Sequence, residues 1–175
     1  KNNNFILRYN SVRTYDNDFI MVILYRDPLI HAASLLEKHR EFKKLQEEDP
    51  FVLEYMNWLG HHEFGLNQKA FSFNGRHYDS NNDKDSMDYW LEAWINYYSY
   101  ALTIDHPHTL IINYGSYCAK PEVTVKSILE NAGLSGELPD YKPFNNKRKT
   151  VEKFSEKINE RAQEIYIQLC ELVKT

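Results

Sequence analysis

An uninterrupted apolar run from Phe19 to Tyr25 is the feature that most restricts how this chain can fold. Consecutive apolar residues, without the alternation of a surface strand, are typical of a strand buried on both faces of a parallel sheet. The run ends in Arg26, Asp27 and Pro28, and proline suits the first turn of a helix because its missing N–H has no partner there in any case. The pattern therefore predicts a buried strand, a short turn and a helix.

A second apolar run of strand length spans Thr109 to Asn113. Helical patterns separate the two runs, so we expect parallel strands joined by a crossover connection. A parallel sheet flanked by helices defines an α/β fold. A chain of 175 residues also has the size of one domain, so a single domain is expected over residues 1–175.

Five helices are expected from apolar residues at three- and four-residue spacing. They span Pro28 to about His39 or beyond, Glu47 to Leu59, Met87 to Leu102, Pro121 to Leu134, and about Val151 to Val173. Gly133 suits a left-handed cap at the end of the fourth helix. The apolar stripes are Phe51, Tyr55, Trp58 and Leu59 in the second helix, Trp90, Leu91, Trp94, Ile95, Tyr98, Ala101 and Leu102 in the third, and Phe154, Ile158, Ile165, Leu169 and Leu172 inside the fifth.

The polar stretch from Gly65 to Asp85 is rich in Asn, Asp and Ser. It predicts a long surface loop between two helices. A loop of this length is typical of a lid over a binding site.

Composition limits the classes of function. The formal charge is −4, from 21 basic and 25 acidic residues, so no overall positive field would draw the chain to nucleic acid, and any anion site must be local. The two cysteines form no disulfide framework, which predicts buried thiols in a reducing, cytoplasmic setting. No apolar run approaches the roughly 20 residues that cross a bilayer, so a soluble protein without a membrane span is expected.

The junction of the first strand with its helix has the chemistry of a phosphate site. The carboxyl end of a parallel strand and the first turn of the following helix meet at the sheet edge where open α/β folds bind ligands. Arg26 can grip a phosphate with two parallel hydrogen bonds, and Ser34, two turns into the helix, could reach the same group. Spacing leaves an alternative open, in which Arg26 pairs with a carboxylate and Ser34 faces a neighbouring helix.

The segment VILYRDPLIHAAS, Val22 to Ser34, resembles the 3'-phosphate-binding motif of sulfotransferases that use 3'-phosphoadenosine 5'-phosphosulfate (PAPS). The resemblance implies that Arg26 and Ser34 bind the 3'-phosphate of the nucleotide. The later segments YWLEAWINYYSYAL, LIINY and KPEVTVKSILENAGL are similar to the family's segments in the same order, so the likeness covers about Phe19 to Leu134. It implies a P-loop NTPase-like fold and transfer of a sulfuryl group from PAPS to a hydroxyl or amine of a small-molecule or glycan acceptor.

The chain departs from the family pattern in two places. Gly115 follows the tyrosine after the later strand, where the family usually has an acidic residue. The phosphate loop that holds the 5'-phosphosulfate is also missing, since the chain has no Gly-Lys pair and only about 18 residues precede the first strand. We therefore expect the C-terminal part of a longer enzyme, incomplete at its N-terminus, and the activity of this chain alone stays open.

Histidines are the candidates for the base that takes the acceptor's proton. His31 and His39 lie in the motif helix, near the nucleotide, whereas His61 and His62 follow Gly60 and could border the acceptor. Each has the alternative of a surface or hydrogen-bonded structural histidine. The base could also come from the missing part of the family fold.

A dense basic cluster, Lys147, Arg148 and Lys149, occurs in a late segment. Because the family often closes the nucleotide site with basic residues from a late loop, these three are candidates for further contacts to the 3'-phosphate. The alternative is a solvated loop before the last helix. No metal site is expected, because the histidines near His61 and His106 lack further ligands at a recurring spacing.

Two rival functions remain open. One is a non-catalytic interaction module that contacts a protein partner through its Tyr- and Trp-rich helices and its charged last helix. The other is a P-loop kinase relative that transfers phosphate and depends on Mg²⁺. An exposed sheet edge could also drive self-association.

Overall fold

The computed structural model describes residues 3–73, 81–144 and 152–172 of the chain. It has an α/β fold, in which helices flank a parallel sheet that has two strands within the described ranges. The chain divides into two compact units: unit 1 contains residues 1–26, 99–147 and 166–175, and unit 2 contains residues 27–98 and 148–165. The expectation of a single domain stays a prediction.

The elements follow the chain in a simple order. They are a 3-10 helix (Asn3–Arg8), α1 (Tyr9–Tyr15), β1 (Met21–Tyr25), α2 (Pro28–Glu48), α3 (Pro50–Trp58), α4 (Met87–Ala101), β2 (Thr109–Asn113), α5 (Tyr114–Ala119), α6 (Pro121–Asn131) and α7 (Glu156–Leu172). Among the residues that the structure describes, no helix combines the length and the apolarity needed to cross a membrane.

The two strands of unit 1 pair in parallel, as predicted. Met21 lies opposite Thr109, and the register continues to Tyr25 opposite Asn113. The strands are joined through the helices α2, α3 and α4, because a parallel pair requires a crossover connection.

Burial along β1 differs from the prediction. Met21, Ile23 and Tyr25 are buried, but Val22 is 38% and Leu24 45% exposed. Successive side chains of a strand point to opposite faces, so the alternation means that one face of β1 is packed and the other is accessible. The expectation of a strand buried on both faces was wrong.

Arg13 ties the N-terminal helices to the starts of both strands. Its guanidinium donates to the carbonyl oxygens of Asn17 at 2.9 Å and Phe19 at 2.6 Å, just before β1. It also donates to the carbonyl oxygen of His108 and to Oγ1 of Thr109, both at 3.3 Å, where β2 begins. The guanidinium carbon lies 3.8 Å from the centroid of the Phe19 ring. One side chain therefore holds three segments of unit 1 together.

The apolar face of α4 forms the core of unit 2, as the sequence predicts. Its buried side chains in this unit are Met87, Tyr89, Trp90, Leu91, Trp94, Ile95 and Tyr98. From α2, the buried side chains include Ala32, Ala33 and Leu36. The start of α2 is also as predicted, because Pro28 occupies its first turn and Oδ1 of Asp27 accepts the Ile30 N–H at 2.9 Å.

Two predicted apolar faces need correction. The stripe of α3 is exposed, because that helix packs through its other side, where Val52, Leu53 and Met56 are partly buried. In α7, Leu169 is buried, but Leu172 is 51% exposed because it lies at the last residue of the helix. The cap predicted after the fourth helix is present, since Gly133 has a φ of +64° just beyond α6.

Candidate functional site

Arg26 lies at the carboxyl edge of the β1–β2 pair. Because Tyr25 pairs with Asn113, the next residues of the two strands, Arg26 and Tyr114, emerge at the same edge. The Arg26 guanidinium carbon lies 4.9 Å from the centroid of the Tyr114 ring, within the range of a cation–π contact. Arg26 is partly buried. The structure therefore fixes a positive charge at the edge where open α/β folds bind their ligands.

A small aromatic cluster accompanies this arginine in unit 1. The ring centroids of Tyr117 and Phe144 are 5.4 Å apart, and Tyr114 lies 6.2 Å from Tyr117 and 6.4 Å from Phe144. Asn113 begins α5 by accepting the N–H of Ser116 at 3.1 Å. The sequence interpretation missed this cluster, although its signal was present as two tyrosines three residues apart directly after a strand. The rings offer apolar surface beside a fixed cation.

Ser34 belongs to unit 2, whereas Arg26 belongs to unit 1. The Ser34 hydroxyl donates to the carbonyl oxygen of Ile30 at 3.0 Å, one turn earlier in α2. A serine hydroxyl has a single hydrogen, and a phosphate accepts hydrogen bonds. Ser34 must therefore rotate away from Ile30 before it can donate to a phosphate, and its binding role stays a prediction.

His31 lies one turn before Ser34 on α2 and is partly buried. Its ring centroid is 6.3 Å from that of Tyr98, with the two planes inclined at 58°. The structure thus brings His31 to the aromatic core of unit 2. Its role as a base stays a prediction.

His39 has the environment of a hydrogen-bonded core histidine, the alternative noted from the sequence. It is 3% exposed, and its Nδ1 accepts the Gly65 N–H at 3.2 Å. Its ring lies 5.4 Å from the ring of Trp90. Burial lowers the pKa of the His39 imidazole. An accepting Nδ1 carries no proton, so His39 is neutral in this arrangement and holds the Gly65 segment onto α2.

Gly65 is itself constrained at this anchor. Its φ is +84°, and an added Cβ would overlap the side-chain amide of Gln46. Oε1 of Gln46 accepts the Leu66 N–H at 2.7 Å. The beginning of the loop that was expected to act as a lid is therefore tied to α2 by two buried side chains of that helix.

The stability of the protein is expected to fall on acidification because of His39. Its pKa in the folded state lies below the ordinary value of 6.5, so the unfolded chain binds the proton more readily. The contribution of His39 is therefore full above about pH 6.5 and is lost as the pH falls through the folded-state pKa. Urea denaturation between about pH 7 and pH 5 should show a smaller loss of unfolding free energy for His39→Asn than for the wild type. Equal slopes for the wild type and His39→Asn would contradict the assignment.

The remaining candidates are spread over the chain. His61 is exposed, with Nδ1 3.5 Å from Oε2 of Glu63. Lys147, Arg148 and Lys149 lie outside the described residues. Cys118 is a buried free thiol, and Cys170 is a partly buried one whose Sγ accepts the Tyr25 hydroxyl at 3.6 Å. In the three described ranges, no group of histidine, cysteine and carboxylate side chains could hold a metal ion.

No family model matches the chain, and no curated protein or solved structure matches it either. Arg26 and its surroundings at the sheet edge are therefore the structural basis for a functional assignment. The arrangement can hold an anion beside an apolar, aromatic surface.

Proposed function

We propose that this chain binds an adenine nucleotide with a 3'-phosphate, as part of a PAPS-dependent sulfotransferase with a P-loop NTPase-like fold. The observation that supports the proposal best is the position of Arg26 directly after β1, at the carboxyl edge of a parallel strand pair and against Tyr114. Asp27 then caps α2, so the strand, arginine and helix succeed one another as the motif requires.

The guanidinium of Arg26 has the properties that a phosphate ligand needs. Its planar fork can donate two parallel hydrogen bonds to one phosphate. The Tyr114 ring packs against the guanidinium and restricts the rotamers of Arg26, so less side-chain entropy is lost when a ligand binds. Ser34 and the cluster Lys147, Arg148 and Lys149 are proposed as further phosphate contacts on the strength of the motif alone.

The reaction needs little covalent work from the protein. The acceptor oxygen or nitrogen forms a bond to sulfur while the bond from sulfur to the 5'-phosphate oxygen breaks, and that oxygen keeps the electron pair. A base removes the acceptor's proton, and His31 is the proposed candidate in this chain because His39 is engaged with Gly65. Arg26 would position the nucleotide through its 3'-phosphate, away from the reacting atoms.

Titration calorimetry at low salt tests the nucleotide site directly. We expect saturable binding of 3'-phosphoadenosine 5'-phosphate, and binding of adenosine 5'-monophosphate at least about tenfold weaker because it lacks the 3'-phosphate. Equal affinities would exclude a 3'-phosphate site. Absence of binding by this chain and by the full-length gene product would exclude the nucleotide role.

A non-catalytic interaction module is the second candidate function. The exposed aromatic residues of α3 favour it, because soluble domains rarely leave several large apolar side chains together in water. The two functions involve different residues, since Arg26 belongs to unit 1 and α3 to unit 2.

A further inference from the structure

Helix α3 presents a row of large apolar side chains to solvent, here called the aromatic face. The row consists of Phe51, Tyr55 and Trp58 on α3 and of Leu59 directly after it, which are 58%, 48%, 67% and 52% exposed. Residues at i, i+4 and i+7 lie on one side of a helix, so these side chains form one surface. Such a surface on a helix of nine residues is unusual for a part of a protein that faces only water.

The rings of the aromatic face contact one another. Phe51 and Tyr55 are stacked, with centroids 5.8 Å apart and planes inclined at 23°, and Trp58 meets Phe51 edge-on at 6.3 Å. The opposite side of α3 already holds the helix in place, since Sδ of Met56 lies 3.1 Å from Nε2 of Gln46 on α2. The aromatic face is therefore not needed for packing α3 within unit 2.

The sequence that contains the aromatic face is acidic. Residues 45–68 contain five carboxylates and no lysine or arginine. Glu54 lies three residues after Phe51 and four before Trp58, so it borders the rings directly. Asp49 caps the start of the helix, and Glu48 is partly compensated by Lys44 at 3.7 Å. This charge opposes docking of a second aromatic face, an anionic lipid surface or a nucleic acid, and it favours a cationic partner.

We propose that the aromatic face docks a protein segment that carries apolar side chains together with lysine or arginine, such as a cationic amphipathic helix. The rings supply the apolar anchors that dominate interface energetics, and the carboxylates complement the partner's charge and speed its approach. A helix laid along α3 would place its own apolar stripe on the aromatic face. The proposal does not depend on nucleotide binding.

Trp58 provides a direct signal for such binding. The chain has three tryptophans, and Trp90 and Trp94 are only 3% and 1% exposed, so Trp58 is the one that a ligand can cover. The probe is an amphipathic helix of roughly 18 residues made of leucine and lysine, long enough for five turns. We expect a saturable blue shift of the tryptophan emission that weakens at higher salt. A peptide with serine in place of leucine, and one with glutamate in place of lysine, should give no shift.

Substitutions on the exposed surface separate the apolar and the charged contributions. The double variant with Phe51→Ser and Tyr55→Ser should bind the peptide at least about tenfold more weakly, and Glu54→Lys several-fold more weakly. Tyr15→Ser is the matched control, because Tyr15 is 96% exposed and lies in unit 1. Circular dichroism should show wild-type folding for all of them, since each replaced side chain is exposed.

Four results would overturn the proposal. The first is an unchanged peptide affinity in the double variant. The second and third are a blue shift of the tryptophan emission with anionic phosphatidylserine vesicles, or with a neutral oligosaccharide, but not with the peptide. The fourth is a blue shift that increases with protein concentration when no probe is present. The last would assign the aromatic face to contact between copies of this chain. Trp58→Phe, measured by calorimetry, should keep the affinity while the emission signal disappears.

Discussion

Replacing Arg26 with alanine is expected to weaken the binding of 3'-phosphoadenosine 5'-phosphate about a hundredfold, close to 2.7 kcal/mol. The substitution removes a charged fork that can donate two hydrogen bonds to one phosphate, and such charge-assisted bonds are the strong ones. Arg26→Lys should lose about tenfold, because it keeps the charge but not the paired donors. Titration calorimetry at low salt measures all three proteins.

The control for this experiment is Arg8→Ala. Arg8 is an exposed arginine of the same unit, so its loss changes net charge equally without touching the sheet edge. Its affinity should equal that of the wild type. The assignment of Arg26 would be wrong if both arginine variants lost affinity to the same extent, or if Arg26→Ala bound as tightly as the wild type.

Replacing Arg13 with methionine is expected to lower the free energy of unfolding by about 3 kcal/mol. The substitution keeps much of the length of the side chain but leaves the carbonyls of Asn17 and Phe19 without the donors that reach them. It also removes the cation–π contact with Phe19. Arg13→Lys should recover part of the lost unfolding free energy, because its ammonium group still donates hydrogen bonds. The recovery should be incomplete, because an ammonium group lacks the planar set of donors of a guanidinium. Urea denaturation followed by circular dichroism measures the change.

Arg8→Met serves as the matched control for stability. Arg8 is exposed, and substitutions at such positions usually change the free energy of unfolding by less than about 0.5 kcal/mol. A loss as large as that of Arg13→Met would mean that helix propensity or net charge, and not the contacts of Arg13, governs the result.

Local patterns in the sequence predicted both strands and the helices α2, α3, α4, α6 and α7, whereas the 3-10 helix, α1 and α5 were not predicted. The apolar run into β1, the proline at the start of α2 and the broad face of α4 each reflect short-range chemistry, and each is present in the structure. The parallel pairing of β1 with β2 also followed, because helices lie between them in the chain.

Such patterns could not predict whether a given apolar face is buried by other parts of the protein. Periodicity identifies a face, but its burial depends on elements far away in the sequence, which is why the stripe of α3 and the positions of Val22 and Leu24 were misjudged. The same reason explains why the role of Arg13 was missed. Its partners His108 and Thr109 are more than ninety positions away.

The candidate site was predictable only in part. The place of Arg26 at the end of a strand follows from the sequence, whereas its contact with Tyr114 depends on strand register. Ser34 forms a hydrogen bond to Ile30 and His39 forms one to Gly65. Residue type alone does not determine which of several possible partners each side chain takes. Long-range packing, and not local propensity, decides them.

The contacts of Arg13 have a consequence for how the two strands align during folding. A shift of one residue in the pairing of β1 with β2 exchanges the two faces of a strand, which usually moves apolar side chains into water and polar ones into the core. Every residue of β1 is apolar, so the exchange costs little free energy here. Arg13 donates hydrogen bonds to backbone carbonyls just before each strand, and so it favours one strand register over the registers shifted by one residue. The Arg13→Met protein should therefore contain a mixture of strand pairings, visible as multiple amide signals for β1, and not a single, uniformly weakened structure.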